Sequence, residues 1–224
     1  MEFNKNSINL NKKHQEELEK KFGANFEIQK PNYLKEVIKW ILVIIVAIAI
    51  ALVLRAFVFE WVVVQGQSME NTLYNRQVLF VNKLEYMYGK PKRGDIIIIQ
   101  FKEGNWDYLP FGRENPVITR ILPSRGEINY IKRIIGVPGD VVDIKEGYVY
   151  INGIKMTEPY AKGTTMEQTF ELPKVVPQNN VFVMGDNREY SKDSRQLGFI
   201  EYEKVKGKAA FRIRPLKEFG NIYD

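Results

Sequence analysis

The sequence predicts a mainly β protein: a single N-terminal transmembrane helix, then a coiled antiparallel β-sheet or partly closed barrel. Three observations carry that expectation. A run of 20 residues, WILVIIVAIAIALVLRAFVF from Trp40 to Phe59, holds one charge, Arg55. Behind it the chain breaks into short segments rich in β-branched and aromatic residues, punctuated by turn residues. No long amphipathic helical pattern interrupts those segments. The composition, 45% hydrophobic and 27% charged over 224 residues, argues against wholesale disorder. The expected division is therefore 1–39 as a cytoplasmic tail, 40–59 as the anchor, and 60–224 as an extracytoplasmic β-rich domain.

The tail mixes eight lysines with six glutamates, and reads as polar, largely unstructured or loosely helical. The apolar run that follows has the length of a bilayer crossing, since about 20 residues at a rise of about 1.5 Å span a hydrocarbon core of about 30 Å. Arg55, near one end, can reach the interface along its aliphatic stem. Trp40 and Trp61 stand where aromatic belts form. A cleavable secretory signal fits poorly, because the run starts late and ends in AFVFEWVVV rather than a small-x-small site. Lys30, Lys35 and Lys39 precede it, whereas no basic residue follows Arg55 until Arg76. Positive-inside bias therefore places the N-terminus in the cytoplasm and the β domain outside a plasma membrane crossed once.

The strand candidates follow in order as WVVV, VLFVN, DIIIIQF, INYIKRIIGV, DVVDI and GYVYI, separated by GKPKRGD, GVPGD, KEG and NG. VPGDVVDIKEGYVYINGIKM reads as consecutive hairpins, with Asn152-Gly153 favouring a type I′ turn. Residues 101–126 and 155–178 read as long loops or insertions.

Two absences narrow the chemistry. There is no cysteine, so thiolate catalysis and thiolate metal sites are excluded. The sole histidine is His14. If the apolar run crosses a membrane, His14 lies opposite any serine behind it, and a Ser-His-Asp triad is excluded. The net charge of +6 and pI near 9.2 come without zinc spacing or a basic helix, so nucleic acid is not an expected partner. They suit a domain beside an anionic bilayer. No cofactor or metal is expected, and a monomer is.

Three stretches hold the remaining candidates. GQSMENTL, residues 66–73, offers Ser68, which nothing local distinguishes from a turn serine. NYIKRIIGV offers Lys132 in mid-strand, on one face with Tyr130 and Ile134, while Arg133 shares the other with Ile131 and Ile135. Such a lysine is either desolvated, and then able to act as a base, or points to solvent from an edge strand. VFVMGDNREYSKDSRQLGFI, residues 181–200, ends an apolar run in a dense polar cluster: Asp186, Asn187, Arg188, Ser191, Asp193, Ser194 and Arg195. Its two arginines argue against a calcium loop.

Together these stretches resemble the type I signal peptidase family, a group of membrane-anchored serine-lysine proteases, over roughly residues 40–214. GQSMENTL is similar to its nucleophile motif, KRGDIIIIQF to the strand motif that follows, YIKRIIGVPGD to its general-base motif, and MGDNREYSKDSRQLGFI to its GDN-R-x-x-S-x-DSR signature, in the family's order. The resemblance implies a catalytic domain of signal-peptidase type that removes signal peptides from secretory preproteins with small residues at −1 and −3. It implies Ser68 as nucleophile and Lys132 as general base, with Ser191 holding the lysine, Asp193 and Arg195 pairing to hold their loop, Arg133 in support and Met69 lining the substrate groove. The lipid bilayer is the other implied partner. Two positions depart from the family's pattern. Gly66 stands where some members carry a hydroxyl that serves the oxyanion hole, leaving backbone N–H groups, chiefly that of Ser68. Asn71 stands where proline is common.

A separate expectation concerns GNWDYLPFG, residues 104–112, whose Trp106, Tyr108, Leu109 and Phe111 would either dip into the outer interface or form a small satellite core. Two rival readings remain. A self-cleaving repressor of Ser-Lys type would need a DNA-binding domain in place of the membrane span. An inactive membrane-anchored β domain that binds exported peptides would have lost Ser68 or Lys132.

Overall fold

The structure is a computed structural model that describes residues 12–14, 16–17, 20–21, 33–102 and 127–223. Residues 104–112 and their aromatic cluster lie outside the described residues. The chain divides into two packing units, 1–47 and 48–224.

Within the first unit lies the greater part of α1, Tyr33–Phe57, a helix long and apolar enough to cross a membrane, with a mean hydropathy of 3.1 in its most apolar stretch. It starts earlier than the apolar run, because Leu34-Lys35-Glu36-Val37-Ile38-Lys39 suits a helix as well as the span does, with a Glu36–Lys39 pair at 2.9 Å. It also stops sooner. Phe59 opens β1 (Phe59–Val63), since FEWVV is β-branched and aromatic and pairs at once with β2 (Val78–Asn82).

The second unit is built on an antiparallel sheet. Its further strands are β3 (Ile96–Lys102), β4 (Glu127–Gly136), β5 (Val141–Lys145), β6 (Tyr148–Ile151), β7 (Ile154–Lys155), β8 (Lys174–Val175), β9 (Asn180–Met184), β10 (Ile200–Glu201), β11 (Val205–Arg214) and β12 (Gly220–Asn221). A short helix, α2 (Glu85–Tyr88), precedes β3, and another, α3 (Ser194–Leu197), precedes β10. The larger sheet runs β1-β2-β11-β3-β4-β9-β10, with β12 paired to β11; among the described residues this path has two ends, β1 and β10. The smaller runs β7-β6-β5-β8.

Strand alternation shows in the burial. Leu79 and Val81 of β2 join Val62 and Val64 in an apolar cluster that includes Met69, Leu73, Ile96, Ile98 and Ile131. The opposite faces of β3 and β4 send Ile97, Ile99 and Ile134 into a second cluster with Val181 and Val183. Both faces of the β3–β4 pair are therefore buried, which explains the unbroken IIII of β3. The hairpins of the smaller sheet turn on two residues each, Glu146-Gly147 and Asn152-Gly153, all four at positive φ as a type I′ turn requires. Residues 156–172, read as loop, are anchored by Met156, Tyr160, Phe170 and Leu172 against the core of this sheet.

Two features of the larger sheet position the site. Among the described residues, β9 pairs with β4 only from Arg133 onward. β1 is the terminal strand at the other end of the path. Its outer face aligns Trp61 with Phe80 of β2 and Phe211 of β11, with Phe59 stacked on Phe80 at 5.6 Å. Trp61, Val63 and Phe211 of this apolar face are exposed.

Candidate active site

Between β1 and β4 runs a groove of about 390 Å³, walled by residues 60–66 on one side and 128–132 on the other. Ser68, Met69 and Lys132 meet in it. Lys132 sits where β4 loses its β9 partner, opposite Ile97 of β3, and its side chain is sealed from solvent, with the residue only 2% exposed. Lys132 Nζ lies 2.8 Å from Ser68 Oγ and donates to the Ile131 carbonyl at 3.0 Å. Burial pushes the amine down to about 8 from its usual 10.5. The nearby carboxylates of Asp193 and Asp186 pull the other way, and Arg195 helps burial. A largely desolvated amine touching a hydroxyl is a group that can take the hydroxyl proton at mildly alkaline pH.

The loop after β9 backs this pair. Gly185 makes the approach possible: a Cβ there would fall 2.5 Å from the Ser68 carbonyl oxygen and 2.3 Å from Ser191 Oγ. Asp193 accepts the Gly185 N–H at 3.0 Å and caps α3. It also holds Arg195 in a two-point pair, Nε–Oδ1 at 2.9 Å and Nη2–Oδ2 at 2.8 Å, both residues being buried. Arg133, on the other face of β4, grips Asp186 the same way at 2.9 and 2.7 Å, and its guanidinium lies 4.0 Å from the Tyr160 ring centroid. Ser191 is buried against Gly185, but its hydroxyl makes no hydrogen bond in the structure. The hydrogen bond to Lys132 that the resemblance implies is not formed here. Met69 is buried in the apolar cluster under the groove that it also lines.

The two departures acquire structural meaning. Gly66 has a φ of +84°, and its N–H donates to Asn75 Oδ1 at 3.3 Å. Asn71 has a φ of +93°, which a proline ring cannot adopt, and its Nδ2 donates to the Tyr160 carbonyl at 3.1 Å. The Ser68 loop therefore takes a path here that asparagine permits and proline forbids.

Several supports escaped the sequence reading. Thr72 Oγ1 donates to Asp186 Oδ2 at 2.5 Å, tying the Ser68 loop to the Arg133 pair. Its signal was its place inside GQSMENTL, four residues beyond Ser68. Glu158 takes both Nη groups of Arg188 at 2.8 and 2.9 Å, inside the structure. Nothing in the sequence marks Glu158, which stands in a stretch read as loop.

Residues 37–214 match the family described as signal peptidase, peptidase S26. Signal peptidase I of Bacillus licheniformis is 38% identical over 86% of this chain and 96% of its own length. Signal peptidase I S of Bacillus subtilis strain 168 is 36% identical over 82% and 92%. A crystallographic signal peptidase I from Enterococcus faecalis V583 is 28% identical, with a TM-score of 0.37, over 54% of this chain and 97% of that one. The family model and the Bacillus relatives define a serine peptidase class. The chain belongs to the signal peptidase family, peptidase S26.

Proposed function

We propose that the chain is a membrane-anchored signal peptidase that removes N-terminal signal peptides from secretory preproteins by acyl-enzyme chemistry on Ser68 and Lys132. The observation that carries this reading is the 2.8 Å approach of Ser68 Oγ to a lysine amine that is 2% exposed. Family membership supplies the substrate class.

Neutral Lys132 takes the Ser68 proton as Oγ bonds to the scissile carbonyl carbon, and the carbonyl π pair moves onto its oxygen. On collapse the C–N bond breaks, and the Lys132 ammonium passes its proton to the leaving amine. Water then adds to the Ser68 ester as Lys132 takes its proton. The C–Oγ bond breaks, and the proton returns to Ser68. The groove between β4 and the terminal β1 strand suits an extended peptide, whose small −1 and −3 side chains would lie beside Met69.

The anchor is α1, with residues 1–39 in the cytoplasm and the β domain on the extracytoplasmic face of the plasma membrane. The apolar outer face of β1, which begins directly behind α1, suits the bilayer as partner. Arg133, Asp193 and Arg195 hold the loops that carry the dyad, and no cofactor takes part.

The deciding experiment is cleavage of a preprotein with an Ala-x-Ala site by the full chain in detergent. Ser68→Ala and Lys132→Met are each expected to lose turnover by about 10⁴-fold or more. Near-normal turnover in either variant would refute the mechanism, and no cleavage by the intact chain would favour a peptide-binding domain without activity.

A further inference from the structure

Asn187 stands in the polar cluster after β9 and takes no part in the proton transfers above. It is 2% exposed, yet it reaches the exposed turn that carries Ser68. Its backbone N–H donates to the Ser68 carbonyl at 3.1 Å, and its side-chain Nδ2 donates to the Gln67 carbonyl, also at 3.1 Å. The Gln67 carbonyl has one further donor, the Glu70 N–H at 3.1 Å, which belongs to the turn itself. Asn187 thus supplies the hold on this peptide that comes from outside the turn.

The direction of that hold matters. In a trans peptide the C=O and the following N–H point in opposite directions. Fixing the Gln67 carbonyl on Asn187 therefore turns the Ser68 N–H away from the loop after β9. Among the described residues no protein acceptor takes that N–H. At Gly66 there is no side-chain donor, and the Gly66 N–H is already engaged by Asn75. Charge that develops on a scissile carbonyl at Ser68 Oγ then has the Ser68 N–H as its built-in donor. A donor aimed before the reaction is worth far more than one that must turn during it.

We propose that Asn187 is the positioning residue of the oxyanion donor: by pinning the Gln67 and Ser68 carbonyls, it presets the Ser68 N–H toward the oxygen of the tetrahedral intermediate. This rests on the reading of Ser68 as nucleophile, and it adds a task to an asparagine that makes no contact with the dyad's proton.

The test uses the full chain in detergent with Asn187→Asp, which keeps the size and the main-chain N–H but cannot donate from its side chain to Gln67. On the alkaline plateau, where any effect of the new charge on Lys132 drops out, kcat is expected to fall by about 10²- to 10³-fold with KM within about 2-fold. Affinity for a peptide boronate, whose adduct on Ser68 carries a negative oxygen, should fall in parallel. Affinity for the same peptide with the scissile amide reduced to CH₂–NH, which cannot form an oxyanion, should be unchanged. Equal losses for both inhibitors, or an unchanged kcat, would overturn the proposal. Asn187→Ala carries the same expectations and decides the matter if the aspartate variant melts too low to assay. Ser68→Ala separates the two readings: turnover surviving in that variant removes the nucleophile itself, whatever Asn187 does.

Discussion

At the scale of the residue, Lys132, as the proposed base, sets the expected pH dependence. Its amine is held near 8, so kcat/KM should rise as pH passes through about 8 and level off above it, measured on a preprotein of constant ionisation. Asp193 and Asp186 act against this by favouring the ammonium form, and each is neutralised by an arginine gripping it at two points. Arg195→Gln uncovers the Asp193 carboxylate, and should move the midpoint to higher pH while leaving the plateau less affected than the value at pH 7. An unmoved midpoint would mean that the pair only shapes the loop. Arg195 thus has an electrostatic task beyond holding structure. Strand alternation does not reveal it, because Asp193 and Arg195 stand at the cap and in the first turn of a short helix rather than in a strand.

At the scale of the element, the fold was legible wherever pattern and burial coincide. Asn152-Gly153 marked its hairpin because two positive φ values in sequence admit few residues. DIIIIQF marked the strand β3, which the fold covers on both faces. The ends of α1 were less legible. Leu34 to Lys39 is helical without being apolar throughout, and Val58 and Phe59 are apolar without being helical. Of the site, the sequence pattern left Lys132 open between solvent and interior. What places it is the end of the β9 pairing at Arg133, a register that no local run displays. Glu158 was invisible because residues 156–172 are held by packing, not by periodicity. Two changes test the loops. Asn71→Pro demands a φ near −65° where the chain has +93°, and should destabilise the domain by more than about 1 kcal/mol in thermal melts while lowering turnover. Gly185→Ala would drive a methyl group into the Ser68 carbonyl, and should cut kcat by about 10²-fold or more even where the protein stays folded.

At the scale of the whole molecule, burying Lys132 has a thermodynamic signature. Its folded value near 8 lies below the ordinary 10.5, so below about pH 8 the fold carries a cost of about 3 kcal/mol that vanishes as pH rises toward 10.5. Tyr160, Tyr86 and Tyr223 titrate in the opposite sense. Burial raises all three, Tyr223 to about 12, so the stability they contribute is present below pH 10 and is lost as pH rises through their folded values. Melting temperature in detergent should therefore climb from pH 7 to a maximum near 9 to 10 and then fall. Lys132→Met should flatten the climb and leave the fall. One contact bears on timing as well. The Gly185 backbone pressed onto the Ser68 carbonyl joins a segment near the start of the β domain to one near its end. As the chain is synthesised, the serine emerges first, the lysine next and the glycine last. Until β9 and the loop behind it are in place, Lys132 has no dry wall and Ser68 no backing. Cleavage then waits until the loop behind β9 has folded onto Ser68.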